Sequence, residues 1–230
     1  MKKTTNLFII ILCIVMSLTQ FASAVSFSDM PAESHWAYQA LTSAASKGLL
    51  TGSDGKIMPF DYLTRAQMAT ILVRAYQKTE QADITEYTDV SPASWYYANM
   101  AIAVKMQIFR GDGSGKLNPD NQITRQEVFV VLARAIGVTS DDVSVLDGFT
   151  DGSSVAAWAQ GATAYLISKG YVKGSDGKIN PTNQITRAEF AQLMYNLVDA
   201  GVIQLSTPAG LTVEDKPADD DGEFGDLVFF

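Results

Sequence analysis

Hydrophobic residues recur at helical spacing in three stretches of this chain, and the stretches are copies of one another. Met68, Ile71, Leu72 and Ala75 fall at i, i+3, i+4 and i+7; Val128, Val131, Leu132 and Ala135 repeat that spacing, as do Phe190, Leu193, Met194 and Leu197. Each predicts an amphipathic helix with one buried stripe. Each is opened by the same signal: Leu63-Thr64-Arg65-Ala66-Gln67, Ile123-Thr124-Arg125-Gln126-Glu127 and Ile185-Thr186-Arg187-Ala188-Glu189. A threonine followed three residues later by Glu or Gln is a capping box, in which the hydroxyl satisfies an orphan N–H for about 1 kcal/mol.

A second helix precedes each of these. It begins near Trp36, Trp95 or Trp158, six or seven residues after an aromatic-x-Asp (Phe27/Asp29, Tyr87/Asp89, Phe149/Asp151). Gly48 and Gly170 offer the left-handed residue that ends helices. Gln107 stands at that point in the second copy, which predicts a less clean ending there. Turns of the form Ser53-Asp54-Gly55-Lys56 and Ser175-Asp176-Gly177-Lys178 follow, with one extra residue in Asp112-Gly113-Ser114-Gly115-Lys116. Asp-Gly between short apolar segments is a tight-turn signal. Pro59, Pro119 and Pro181 come next, six residues before each capping-box arginine. The period is 60 residues, then 62. A repeat of this size does not bury its apolar face alone, so the three stripes are expected to converge on one pseudo-threefold core.

The ends differ in character. Residues 1–24 read as a secretory signal peptide: Lys2 and Lys3, an apolar run from Leu7 to Leu18, then Ala22-Ser23-Ala24. That run is too short to span a bilayer core of about 30 Å. Repeats are expected at 27–80, 87–140 and 149–200. An acidic tail, 201–230, contains Asp219-Asp220-Asp221 and ends in Leu227-Val228-Phe229-Phe230; Ser206 to Gly225 is expected to be disordered linker. The single cysteine, Cys13, falls in the leader, which excludes disulfides from the mature chain. Net charge is −8, and −10 once Lys2 and Lys3 are removed, so the basic field that nucleic-acid binding needs is missing.

Three residue types invite a chemical reading. Arg65, Arg125 and Arg187 occupy the first helical position, where the macrodipole disfavours a cation. Either each pairs with an aromatic-x-Asp carboxylate of its own or a neighbouring repeat, or each forms an anion site beside free N–H groups at a helix N-terminus. Both readings can hold together. Trp36, Trp95 and Trp158 sit where core packing is the commoner role, although aromatic faces also stack on sugars. Asp29, Asp89 and Asp151 read more readily as turn or cap residues than as direct contacts. Enzyme-like patterns fail on context. Ser53-x-x-Lys56 and Ser175-x-x-Lys178 lie on Asp-Gly turns without the partner motifs of penicillin-recognising enzymes. Asp112-x-Ser114-x-Lys116 puts a lysine at a calcium-ligand position. A lone His35 makes neither a triad nor a zinc site. No catalytic residue, metal site or cofactor is expected.

The combined pattern F-x-D, W, G-x-x-D-G-K, P, I-T-R-A-E resembles the S-layer homology family, in three tandem copies from Phe27 to Asp199. The resemblance implies a mainly α fold: three repeats packed as a pseudo-threefold trimer of helix–turn–helix units with short hairpin-like turns and grooves between neighbours. It implies non-covalent binding of a secondary cell-wall polymer linked to peptidoglycan, typically carrying pyruvylated N-acetylmannosamine. The three arginines are then ligand contacts, with the three tryptophans and three aspartates as further candidates. Gln67 and Gln126 depart from the motif, so the grooves need not be equally competent. The implied protein is secreted, sits at the bacterial cell wall, touches no membrane after leader cleavage and is no enzyme. Two other readings are an adaptor or S-layer-associated subunit recruiting a protein through its tail, and a wall hydrolase targeted by its repeats.

Overall fold

A computed structural model describes residues 27–205; the expected leader, 1–24, and the expected linker from Ser206 to Gly225 lie outside the described residues. Among the described residues six α-helices form: α1 (Tyr38–Ser46), α2 (Arg65–Tyr76), α3 (Tyr97–Lys105), α4 (Arg125–Ile136), α5 (Ala157–Ser168) and α6 (Arg187–Asp199). Two short 3₁₀ turns, Ser144–Gly148 and Gly152–Ser154, lie between α4 and α5. Among the described residues there are no named strands, only isolated bridges.

The local signals act as their residues dictate. Ser53 and Lys56 exchange two backbone hydrogen bonds of 2.9 Å across Asp54 and Gly55, both at positive φ. In the second copy the longer turn is closed by Asp112, whose carboxylate accepts from Ser114 N (2.8 Å), Ser114 Oγ (2.7 Å) and Asn118 Nδ2 (2.9 Å). The aromatic of each aromatic-x-Asp lies over the glycine that precedes the turn. A Cβ on Gly52 would sit 2.4 Å from Phe27 Cε1, and one on Gly111 2.6 Å from Tyr87 Cε1. The aspartates then lock the segment leaving the turn. Asp29 accepts from the N–H groups of Ile57 (2.7 Å) and Met58 (2.8 Å), and Asp89 and Asp151 do the same for Leu117/Asn118 and Ile179/Asn180.

Helix packing runs between repeats rather than within them. The second helix of each unit lies against the first helix of the next: α2 on α3, α4 on α5, and α6 back on α1. That last pair closes the ring across the whole length of the fold, and Gln39 Nε2 donates to Tyr195 Oη at 2.7 Å across it. At the centre Leu63, Ile123 and Ile185 form a cyclic set of backbone bonds. Leu63 N donates to Ile185 O, Ile123 N to Leu63 O and Ile185 N to Ile123 O, at 2.9–3.1 Å. Their side chains are buried, as are Met68, Leu72, Val128, Leu132, Phe190 and Leu197 of the three stripes.

Two boundaries differ from expectation. Gln107 adopts the left-handed conformation (φ 61°) and ends α3 as Gly48 and Gly170 end α1 and α5, with Gln107 N donating to Val104 O at 2.8 Å. Burial of the next residues, Ile108 and Phe109, holds the same reversal despite the steric cost of a Cβ there. The first residues of the expected tail, 201–205, are described and held against the fold. Gly201 (φ 68°) ends α6, and Ile203, 1% exposed, returns to the core.

Candidate functional site: the grooves between repeats

The N-termini of α2, α4 and α6 are held by the neighbouring repeat. Arg65 N donates to Asn121 O (3.0 Å) and Ala66 N to Pro119 O (2.9 Å); Arg125 and Gln126 donate to Asn183 and Pro181, and Arg187 and Ala188 to Asp61 and Pro59. The third N–H is taken by the cap in α2 and α6, where Gln67 N and Glu189 N each donate to the threonine Oγ1 at 3.2 Å. The side chain at the third position accepts from the threonine N–H in all three copies, at 3.1, 2.8 and 2.7 Å. The expected anion site at free helix N–H groups is therefore absent. Those groups are spent on assembling the ring, and the repeating prolines supply half of the carbonyls.

The arginine side chains do a related job. Arg187 Nε donates to Ile57 O, Arg65 Nε to Leu117 O and Arg125 Nε to Ile179 O, each at 2.9 Å. Asp29, Asp89 and Asp151 hold the N–H of those same residues, so aspartate and arginine grip one residue from opposite sides without pairing. The expected Arg–Asp ion pair is not formed. The partner is instead the capping glutamate of the next repeat: Arg65 Nη1 to Glu127 Oε1 at 3.1 Å, Arg125 Nη1 to Glu189 Oε1 at 3.2 Å. Each glutamate uses Oε2 for its cap and Oε1 for its neighbour's arginine. Arg65 and Arg125 also lie over Phe109 and Phe129, 5.3 and 5.5 Å from the ring centroids.

Every groove draws on all three repeats. The first gathers Arg187, Gln67, Arg74, Thr51 and Gly52 with Trp95. The second gathers Arg65, Glu127, Arg134, Arg110 and Asp112 with Trp158. The third gathers Arg125, Glu189, Asn196 and Lys173, with Trp36, Phe60 and Tyr62 at its mouth. Trp95 and Trp158 are 65% and 59% exposed, which overturns the core expectation for both. Trp36 is half-buried against the core and His35, with ring centroids 5.0 Å apart. Arg74 and Arg134 were not anticipated. Both stand nine residues after a capping-box arginine, a spacing visible in the sequence, and Asn196 breaks it in the third copy.

Burial pushes all three motif arginines below their ordinary pKa. Glu127, Asp112 and Asp89 oppose this for Arg65, Glu189 and Asp151 for Arg125, and Asp61 and Asp29 for Arg187. A guanidinium stays charged regardless. Burial therefore leaves a strong local demand for a counter-charge. For Asp29, burial raises the pKa, but the Ile57 and Met58 N–H bonds and the Lys56 charge outweigh it and hold the carboxyl below its usual value.

The S-layer homology domain profile matches residues 26–69, 86–129 and 148–191, more than half of the chain. The chain belongs to the S-layer homology domain family. These segments end in the first turns of α2, α4 and α6, so the family pattern contains the turn, the cap and the arginine. Relatives include a "Surface-layer 125 kDa protein" of Lysinibacillus sphaericus, 29% identical over 81% of this chain and 16% of the relative. "Exoglucanase XynX" of Acetivibrio thermocellus is 28% identical over 76% of this chain and 16% of the relative. "S-layer protein EA1" of Bacillus anthracis is 26% identical over 75% of this chain and 20% of the relative. The chain thus spans about a fifth or less of these relatives. Its S-layer homology repeats form a cell-surface anchoring region, a type of module that occurs both in surface-layer proteins and beside enzymes. Among the described residues no helix is long and apolar enough to cross a membrane, and no cluster of His, Cys, Asp or Glu is arranged to hold a metal.

Proposed function

We propose that this chain is a non-catalytic anchor that binds an anionic, pyruvylated secondary cell-wall polysaccharide in its inter-repeat grooves and so holds the protein at the bacterial cell wall. The observation that carries this reading is the recurrence, in each groove, of a largely buried arginine fixed by backbone carbonyls near a tryptophan at the groove rim. Arg65, Arg125 and Arg187 would meet the acidic ketal; Trp36, Trp95 and Trp158 would stack on sugar faces. Asp29, Asp89 and Asp151 serve behind them. Both oxygens of each are committed to backbone N–H groups, so they shape the groove floor.

The chain's net negative charge is no obstacle, since screening acts over about 8 Å at physiological salt and the groove arginines dominate locally. A charge-assisted hydrogen bond there contributes about 1.5–3 kcal/mol. Several grooves along one polymer add avidity through effective concentration. Cosedimentation of residues 25–230 with purified walls, before and after chemical removal of the secondary polymer, tests the reading. Binding is expected to require the polymer and to weaken in Arg65→Ala, Arg125→Ala or Arg187→Ala. Binding indifferent to both would overturn it.

A further inference from the structure

The three grooves share one plan but carry different charge, and one position separates them. In the second and third grooves the capping glutamate pairs with the motif arginine, Arg65 or Arg125. In the first groove that position is Gln67, and Arg187 has no carboxylate within ion-pair distance among the described residues. The cap survives, because Gln67 Oε1 still accepts from Thr64 N at 3.1 Å. What is lost is the second acceptor oxygen: an amide offers an NH₂ donor there, which cannot receive a bond from a guanidinium. Among the described residues Arg187 also lies over no aromatic ring: Leu50 stands where Phe109 supports Arg65, and Ala191 where Phe129 supports Arg125.

Arg187 is 6% exposed, with Nε on Ile57 O and Nη2 on Thr51 O (3.2 Å), and its Nη1 has no acceptor among the described residues. Arg74 comes to the same residue from the other side, its Nη1 donating to Thr51 Oγ1 at 3.3 Å. Two guanidiniums therefore converge on one threonine, in a groove whose lining contains no carboxylate. The second groove sets three cations, Arg65, Arg110 and Arg134, against Glu127 and Asp112. The third sets Arg125 and Lys173 against Glu189 and has Asn196 where Arg74 stands. Asp29 and Asp61 lie within electrostatic reach of Arg187, but Asp29 has both oxygens on backbone N–H groups.

We infer that the groove of Arg187, Arg74 and Trp95 is the principal anion subsite of this chain, and that Gln67 is its specificity-determining residue. Gln67 acts by leaving the buried arginine in need of an external carboxylate. The inference rests on the anchoring reading above. The ligand class is a saccharide carrying a compact carboxylate, bridged between the two guanidiniums with its ring against Trp95.

Titration calorimetry with a methyl glycoside bearing a 4,6-pyruvate ketal, on residues 25–230, tests it. Gln67→Glu is expected to weaken binding about tenfold, equivalent to about 1.4 kcal/mol, by supplying Arg187 with an internal partner. Its melting temperature should stay level or rise, because the capping box is kept. Arg74→Gln should weaken binding to a similar degree. The reciprocal variant Glu127→Gln should tighten or add binding at the second groove. Wild-type binding that Gln67→Glu leaves unchanged would overturn this inference while the anchoring reading stands. Absence of binding by wild type and every variant would overturn both.

Discussion

Gly52 is the residue on which the turn, the aromatic and the first groove all meet. An alanine there would place its Cβ 2.1 Å from Lys56 O, 2.8 Å from Lys56 C and 2.4 Å from Phe27 Cε1. Rotating Phe27 away relieves only one of the three clashes. The others are with backbone, and Lys56 O is the acceptor that closes the hairpin from Ser53 N at 2.9 Å. Overpacking of this kind costs about 1–3 kcal/mol, and losing the hairpin bond adds about 1 kcal/mol, so Gly52→Ala should lose about 3 kcal/mol. At about 2–4 °C per kcal/mol for a fold of this size, the midpoint falls by about 6–12 °C. Gly55→Ala is the matched comparison. It has positive φ (71°) and nothing within 4 Å of its Cβ, so only the left-handed backbone is penalised. That costs about 1 kcal/mol and about 2–4 °C. Thermal melts followed by circular dichroism at a helix wavelength compare the two directly. Equal shifts would refute the steric account of why the glycine, the aromatic and the turn occur together.

Other outcomes are expected from the same structure. Thr163 is fully buried and its hydroxyl is the one buried side-chain polar atom without a hydrogen-bond partner among the described residues; Thr163→Val should raise stability in urea titration by about 1 kcal/mol. Asp29, with its folded pKa held below the unfolded value, contributes stability that is present above about pH 4 and lost as pH falls through the folded pKa. Asp29→Asn should therefore be less stable at pH 7 than wild type, and the gap should narrow in melts below pH 4; a gap constant with pH would count against the sign. Trp95→Ala should reduce wall cosedimentation at a stability cost under about 1 kcal/mol, because the side chain is mostly solvated. Trp36→Ala should cost more in a melt, since its ring packs against the core.

The arginines were legible in the sequence only in part. Their repetition at a dipole-opposed position marked them in the sequence as residues with a task beyond forming a helix. Neither expected arrangement matched the one observed. The N–H groups beside them are occupied by carbonyls of the next repeat, and their carboxylate partners are capping glutamates, such as Glu127 for Arg65 and Glu189 for Arg125, 62 and 64 residues away. The glutamates looked fully explained by capping, because a capping box uses one oxygen and sequence spacing says nothing of the other. Arg74 and Arg134 carry no expectation in the sequence reading, although their nine-residue offset from Arg65 and Arg125 is there to be counted.

What the sequence determined by itself was everything that depends on near neighbours. The three stripes, the capping boxes at Thr64, Thr124 and Thr186, the Asp-Gly turns and the ends of α1 and α5 at glycine all follow from side-chain chemistry within a few residues. Only the tertiary structure decided what depends on closure of the ring. It paired α6 with α1, cycled Leu63, Ile123 and Ile185 around one axis, exposed Trp95 and Trp158 at groove mouths, and left Arg187 without the carboxylate that its two counterparts have. The physical reason is that each repeat buries its helices against the next one. The partner of a side chain is then set by the order in which three units meet, a relation that no local window contains.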